Sequence, residues 1–288
     1  MHEGLHLGRP EIISSHMDKP PRLTDPEALR RNRRRARADA LFLHDLAVDE
    51  AEDRLAMVNK TFKNIAIVSP FPELWRARFT DAICVPDTEV LDLTPGAHDL
   101  VIHGVCLHWA DDPVGQLVQM RHALQPDGMA LVVTLGGQTL HELRAALAQA
   151  ETEVTGGLSP RVLPMADIRD LGALMQRAGL ALPVADSAPL RTSYATPLHL
   201  MHELRAMGEA NALDSRLRHP TRRSVLLRAA QIYAESFPAE NGRVAATFEM
   251  ITLAGWAPDA SQPQPLRPGT ATHRLAQALG TDETKLKD

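Results

Sequence analysis

Residues 98–134 open with His98-Asp-Leu-Val-Ile-His-Gly-Val-Cys-Leu-His-Trp109 and close with Gln125-Pro-Asp-Gly-Met-Ala-Leu-Val-Val-Thr134. Leu100 to Val105 is an apolar run, and a polar corner, His108 to Pro113, follows it. Val114, Leu117, Val118, Arg121 and Leu124 then recur at helical spacing. Pro126-Asp-Gly128 reads as a turn, and Met129 to Val133 is a second apolar run. Strand, helix, turn and strand in this order make the unit of a parallel sheet with a right-handed crossover. Ligands of such sheets bind at the carboxyl ends of the strands, where His108 and Trp109 fall.

Working outward, Ile65-Ala-Ile-Val68 predicts the first strand, with Ser69-Pro-Phe-Pro-Glu73 after it. Asp81-Ala-Ile-Cys-Val85 reads as another strand, and Thr88 to Leu93 is ambiguous. Val68 and Leu100 are separated by 31 residues, room for one crossover of about 30 residues and not two. Downstream, Gln138–Glu153 and Asp167–Ala178 read as helices, with Gly179 ending the second. Leu182–Asp186 and Leu190–Tyr194 read as strand or hairpin. Helices at 197–207 and 221–237 form an insertion before a closing antiparallel strand that starts at Val244.

Composition narrows the class. Hydrophobic residues make up 44% and charged residues 23%, an ordinary globular balance, and the net charge of -5 argues against a chain that is basic overall. No apolar run approaches the length of a membrane span, and no secretory h-region is visible at the N-terminus. Cys84 and Cys106 lie in apolar runs without metal-ligand spacing and read as buried free thiols. No metal site is expected. A helix starting at Leu23-Thr-Asp-Pro26 carries Arg30, Arg31, Arg33, Arg34, Arg35 and Arg37. These read as a solvated helix end or as a docking element for an anionic surface, including a peripheral membrane contact through residues 30–37. No aromatic residues interleave the arginines, which weighs against nucleic acid.

Leu107-His-Trp109 with Asp112, and Leu124-Gln-Pro-Asp-Gly128, resemble the fourth strand, helix and fifth strand of class I S-adenosylmethionine methyltransferases of the type 11 kind. Leu135-Gly-Gly-Gln-Thr-Leu-His-Glu-Leu-Arg144, Ala150-Glu-Thr-Glu153, Gly156-Gly-Leu-Ser-Pro160, Asp170-Leu-Gly172 and Gly208-Glu-Ala-Asn211 resemble one branch in particular. So does Ala246-Thr-Phe-Glu-Met to Gly255-Trp256. That branch is the mitochondrial complex I assembly-factor and protein-arginine hydroxylase family with its alpha-proteobacterial relatives.

The resemblance implies an α/β, Rossmann-like fold, a mostly parallel sheet with helices on both faces; the short interval between Val68 and Leu100 predicts that its N-terminal half is truncated, and the helical insertion is the one noted above. The expected layout is a mobile leader at 1–21 and a domain at 22–256. Within the domain, 22–62 holds N-terminal helices, 63–134 a shortened Rossmann core, and 135–256 the family-specific half. A Pro-rich, charged tail occupies 257–288. In working members a Gly-rich turn follows the first strand, so that the backbone can approach the cofactor. Here that turn has two prolines, Phe71 and no glycine. The missing length should include the acidic residue that takes the ribose hydroxyls.

Candidate cofactor contacts, in a degenerate site, are Ser69, Phe71, Glu73, Asp87, His108 and Trp109, with Glu89 an alternative acid. His108 and Trp109 are equally readable as satisfied core residues. Asp111 and Asp112 could cap the following helix or serve catalysis. Asp112, Thr139, Glu142, Arg144 and Glu151 are candidate substrate or partner contacts, and the last four read otherwise as exposed helix polars. Thr155–Arg161 is a candidate lid.

Two functions follow. One is a methyltransferase-like pseudoenzyme that works through contacts with a respiratory complex I subunit. The alternative is an active S-adenosylmethionine-dependent methyltransferase, or a protein-arginine hydroxylase, acting on a protein. A nucleic-acid modifier ranks below both. A cytoplasmic protein is expected, one that could sit at the inner face of the bacterial inner membrane.

Overall fold

The computed structural model describes residues 22–263 and 280–281. The expected leader at 1–21, and the tail segments 264–279 and 282–288, lie outside the described residues. Fourteen main elements run in the order α1 (Pro26–Arg33), α2 (Phe42–Ala56), β1 (Ile65–Val68), α3 (Pro72–Arg76), β2 (Ile83–Val85), β3 (His98–Gly104) and α4 (Pro113–Ala123). They continue with β4 (Leu124–Leu135), α5 (His141–Thr155), α6 (Ile168–Arg177), β5 (Ala181–Tyr194), α7 (Pro197–Met207), α8 (Arg223–Ser236) and β6 (Val244–Trp256).

The six strands form one sheet in the order β2-β1-β3-β4-β6-β5. β1 pairs in parallel with β2 and β3, and β3 with β4. β6 is antiparallel to both of its neighbours, β4 and β5. This is the Rossmann-like class I methyltransferase arrangement without its third, outer strand. α2, α3, α5, α7 and α8 contribute to the core on one face, with Trp75, Leu100, Leu131 and Phe248. α4 and α6 cover the other, with Val68, Val101, Val132 and Leu253.

The short N-terminal half has a physical explanation. From β2, residues 86–97 return to the start of β3 without a helix. Their backbone groups still need partners, and α4 supplies them. Gln119 accepts from the Leu91 N–H at 2.7 Å and donates to the Glu89 carbonyl at 3.0 Å, while Gln116 donates to the Thr88 carbonyl at 3.2 Å. The stretch from Thr88 to Leu93 is therefore neither strand nor helix.

Three sequence expectations change. α1 starts as read, with Asp25 accepting from the Glu27 and Ala28 N–H groups at 3.0 Å. It stops at Arg33, so Arg34, Arg35 and Arg37 lie beyond it. The chain turns there because the end of α7 comes close: a Cβ on Gly208 would stand 3.2 Å from the Arg33 Cα. Pro126-Asp-Gly128 lies within β4 as an irregularity rather than a free turn, with Asp127 at φ 59 and the β3 register shifted beside it. The segments 182–186 and 190–194 are one strand, β5. Its prolines are tolerated because β5 is an edge.

Candidate functional site

The carboxyl ends of β2 and β3 open on a crevice of ≈ 390 Å³, lined by Arg33, Asp87, Cys106, Trp109, Asp112 and Gln116 among others. Each side chain arrives there for a local reason. Asp87 stands two residues beyond the end of β2, so the second strand is present with a carboxylate after it.

Arg33 Nη1 donates to both Asp87 oxygens, at 2.8 and 2.6 Å. The two side chains are 9% and 12% exposed. Arg33 Nε and Nη2 are buried without partners. The arginine read as part of a solvated helix end is thus a buried ion-pair partner, because α1 lies over the strand ends. Arg30, Arg31, Arg34 and Arg35 remain exposed, and Arg37 pairs with Asp39.

The turn after β1 has little to offer a ligand. Ser69 donates its N–H to the Val85 carbonyl at 3.1 Å, and the Phe71 N–H goes to the Ser69 hydroxyl at 3.2 Å. Pro70 and Pro72 have no N–H. The Phe71 ring meets His44 edge to face, with centroids 4.7 Å apart. Glu73 points to solvent, 85% exposed, and pairs with Arg76. Behind the turn Trp75 is fully buried.

At the next strand end the chain leaves β3 through Val105, at φ 51, a strained conformation for a β-branched residue. Cys106 is buried, and burial pushes its thiol well above the usual range. Its sulfur lies 3.4 Å from His103 Nδ1. His103 Nε2 lies 2.8 Å from Gln116 Oε1, so Nε2 carries the proton and Nδ1 accepts. Burial takes His103 down to about 4. Of the two expected buried thiols, Cys106 is buried and Cys84 is partly exposed.

His108 and Trp109 meet a residue that sequence reasoning had not singled out, Glu209. Trp109 Nε1 donates to Glu209 Oε2 at 2.7 Å, and His108 Nε2 stands 3.3 Å from the same oxygen. Burial opposes ionisation of Glu209. The His108 hydrogen bond, the Arg33 charge and the Trp109 hydrogen bond outweigh it and bring the carboxyl to about 2. Glu209 belongs to Gly208-Glu-Ala-Asn211, and an acid directly after a helix-ending glycine was the available signal.

Asp112 caps α4, accepting from the Gly115 N–H at 2.7 Å. Asp111 accepts from the Leu23 and Thr24 N–H groups at 2.9 Å and so ties the α1 approach to the corner.

The α5 group is not the exposed row that helical spacing suggests. Thr139, Glu142 and Glu151 are buried because β6 and α8 pack on this helix. Glu142 Oε1 accepts from the Thr247 hydroxyl at 2.6 Å, and Glu142 Oε2 has no hydrogen-bond partner, with His141 Nδ1 3.5 Å away. Arg144 donates to the carbonyls of Thr139 and Leu163 at 3.4 and 3.3 Å. Glu151 holds the Ser159 hydroxyl at 2.7 Å and Arg161 at 2.5 Å, which pins the candidate lid.

Behind Trp109 lies a second cavity, an apolar chamber of ≈ 180 Å³ walled by Leu43, Leu143, Met201, Leu204 and Phe248, with Thr139 and Glu209 also on its surface. Trp109 lines both cavities. The site residues from β2, β3 and α1 therefore converge on the crevice, and Thr139 converges with Trp109 on the chamber. Ser69, Phe71 and Glu73 join neither. Among the described residues no group of three or more His, Cys, Asp and Glu side chains is placed to hold a metal. No described helix is long and apolar enough to cross a membrane.

No family model matches the chain. It is 37% identical over 196 residues to the mitochondrial arginine-hydroxylase NDUFAF5 of Danio rerio, covering 68% of this chain and 61% of that protein. It is 32% identical over 170 residues to the malonyl-[acyl-carrier protein] O-methyltransferase of Halorhodospira halophila, covering 59% and 56%. The chain thus spans less than two thirds of the curated relatives it matches. Among solved structures, the YcgJ protein of Bacillus subtilis aligns with a TM-score of 0.46 at 11% identity, over 74% of this chain and 98% of that one.

Proposed function

Starting from its homology to the mitochondrial arginine hydroxylases, we propose that this is a methyltransferase-fold protein with a degenerate S-adenosylmethionine site. It acts through protein contacts in the assembly of respiratory complex I. The observation that carries this reading is the buried Arg33–Asp87 pair. A class I site needs a carboxylate at the end of the second strand, free to take ribose hydroxyls. It also needs a turn after the first strand that leaves room and free N–H groups for the ligand. Asp87 stands at that strand end but is engaged by Arg33. The turn spends the N–H groups of Ser69 and Phe71 internally. These residues do not fit the cofactor in its usual pose, and no chemical step is derived through it.

A second reading has one observation in its favour. A crevice of ≈ 390 Å³ persists at the strand ends, within the ~300–1,000 Å³ of ordinary ligand pockets. On that reading the chain is an S-adenosylmethionine-dependent methyltransferase, or a protein-arginine hydroxylase, acting on a protein substrate. Under either reading the partner is a protein, and the exposed Arg30, Arg31, Arg34 and Arg35 are available to an acidic partner or to lipid headgroups.

Two measurements decide. Deleting the gene should lower assembled complex I, and the wild-type chain should restore it. Calorimetry of the purified chain with S-adenosylmethionine should show no heat up to millimolar ligand. Micromolar binding with methyl transfer to a protein would replace the first reading by the second. Unchanged complex I in the deletion strain would remove the assembly role.

A further inference from the structure

The loop after α5 is firmly anchored, yet it holds a leucine out to solvent. Ser159 and Arg161 both bond to Glu151. Arg161 Nη1 donates to the Thr221 hydroxyl at 2.6 Å, and Asn211 donates to the Pro160 carbonyl at 2.9 Å. Beside these anchors Leu158 is 70% exposed. Leu217, from the segment before α8, is 39% exposed. Both line an open groove of ≈ 320 Å³, together with Thr155, His219, Thr221 and Arg222.

Arg222 and Arg223 stand where the backbone disfavours them. α8 begins there with no side-chain cap and no acid in its first turn. The positive end of a helix favours anions and repels cations. Glu151, Glu153 and Asp214 are already paired, with Arg161, Arg228 and Arg218. Both arginines are exposed, and among the described residues neither has an ion-pair partner. Carboxylates from outside would therefore relieve this end of the helix, and an apolar side chain beside them would cover the leucines.

The occupant follows from the shape of the site. Pockets for small molecules enclose their ligand in mainly apolar walls. Here the walls are polar and the leucines are exposed, which suits a segment of another protein laid across the surface. The loop is already ordered, so little ordering opposes docking.

We propose that this groove docks an acidic segment of a partner protein. Its carboxylates meet Arg222 and Arg223 at the start of α8, and one of its apolar side chains packs on Leu158 and Leu217. The proposal rests on the assembly reading only for the identity of that partner.

The test is fluorescence anisotropy on the full chain with three labelled peptides of equal length: alternating Glu and Leu, alternating Glu and Ser, and alternating Lys and Leu. The Glu–Leu peptide should bind, the Glu–Ser peptide roughly tenfold more weakly, and the Lys–Leu peptide not at all. Added salt should weaken binding. Arg222→Glu with Arg223→Glu should weaken it at least about tenfold, as should Leu158→Ser. The same charge change in Arg169→Glu with Arg177→Glu, exposed on α6 across the sheet, should leave it unaltered. Circular dichroism reports whether each variant folds. No binding of the Glu–Leu peptide would overturn the proposal, and so would equal binding of the Lys–Leu peptide or an equal loss in the α6 variant. Tighter binding to phosphatidylserine vesicles through Arg222 and Arg223 would overturn it in favour of a membrane surface. Peptide binding in a protein whose deletion leaves complex I unchanged would uphold the groove and remove the assembly role. Loss of complex I without peptide binding would remove the groove alone.

Discussion

Arg33 Nη1 stands 2.6 Å from one Asp87 oxygen and 2.8 Å from the other, fastening α1 to the end of β2. Removing one member of such a buried pair leaves the other charge unmatched. Asp87→Ala should therefore destabilise the fold by about 3–5 kcal/mol in urea denaturation. The double variant Arg33→Met with Asp87→Leu should recover most of the loss. Neither should gain S-adenosylmethionine binding, because the Ser69–Pro72 turn is unchanged. An Asp87→Ala chain as stable as wild type would mean that the pair holds nothing.

His44 gives a pH dependence. It is fully buried, neither ring nitrogen has a partner, and burial takes its pKa from 6.5 to about 4. The folded state prefers the neutral ring. Its contribution is therefore present above about 6.5 and drains away as pH falls from there to about 4. His103 adds a contribution of the same sign over the same window. His44→Leu should flatten the stability profile across that window. It should also raise stability at pH 7 by about 1–2 kcal/mol, since an unbonded polar group is replaced by an apolar one. A destabilised His44→Leu chain with an unaltered slope would contradict this.

Glu151 acts at lower pH. The Arg161 hydrogen bond, resisted by burial and helped by Ser159, takes its carboxyl from 4.5 to about 2. The depressed value means stability that is complete above about 4.5 and lost as pH falls towards about 2. Glu151→Gln should cost about 3 kcal/mol at pH 7 and only a small part of that by pH 2. Thermal unfolding across that range measures it. Limited proteolysis should also find 155–161 newly accessible.

Gly104 permits Trp75 to lie on the sheet. A Cβ there would fall 2.3 Å from Trp75 Cζ2. Gly104→Ala should cost about 1–3 kcal/mol, and Trp75→Leu in the same chain should return part of it. No rescue would place the strain elsewhere.

Much of this architecture was readable in the residues. β3, α4 and β4 followed from an apolar run, a helical period and a second run, and the 31-residue interval announced one crossover too few. Which crossover was absent stayed hidden, because Thr88 to Leu93, the stretch after β2, read as neither a clear strand nor a clear helix. Arg33 was lost in a crowd of arginines. Its burial depends on Asp87, 54 residues away, and on the approach permitted by Gly208. Glu142 and Glu151 sit at spacings that an exposed helix face would share. Their burial comes from β6 and α8, far along the chain. Glu209 reaches Trp109 across 100 residues, a pairing that no local pattern encodes.

β6 sits between β4 and β5, and β5 pairs with nothing else in the sheet. While the ribosome is still making residues 244–256, two raw sheet margins lie open on the nascent polypeptide. Such margins invite pairing with other chains. Holdase chaperones should therefore grip this protein late in translation and let go only after Trp256 clears the exit tunnel, which ribosome profiling of chaperone-bound nascent chains would reveal.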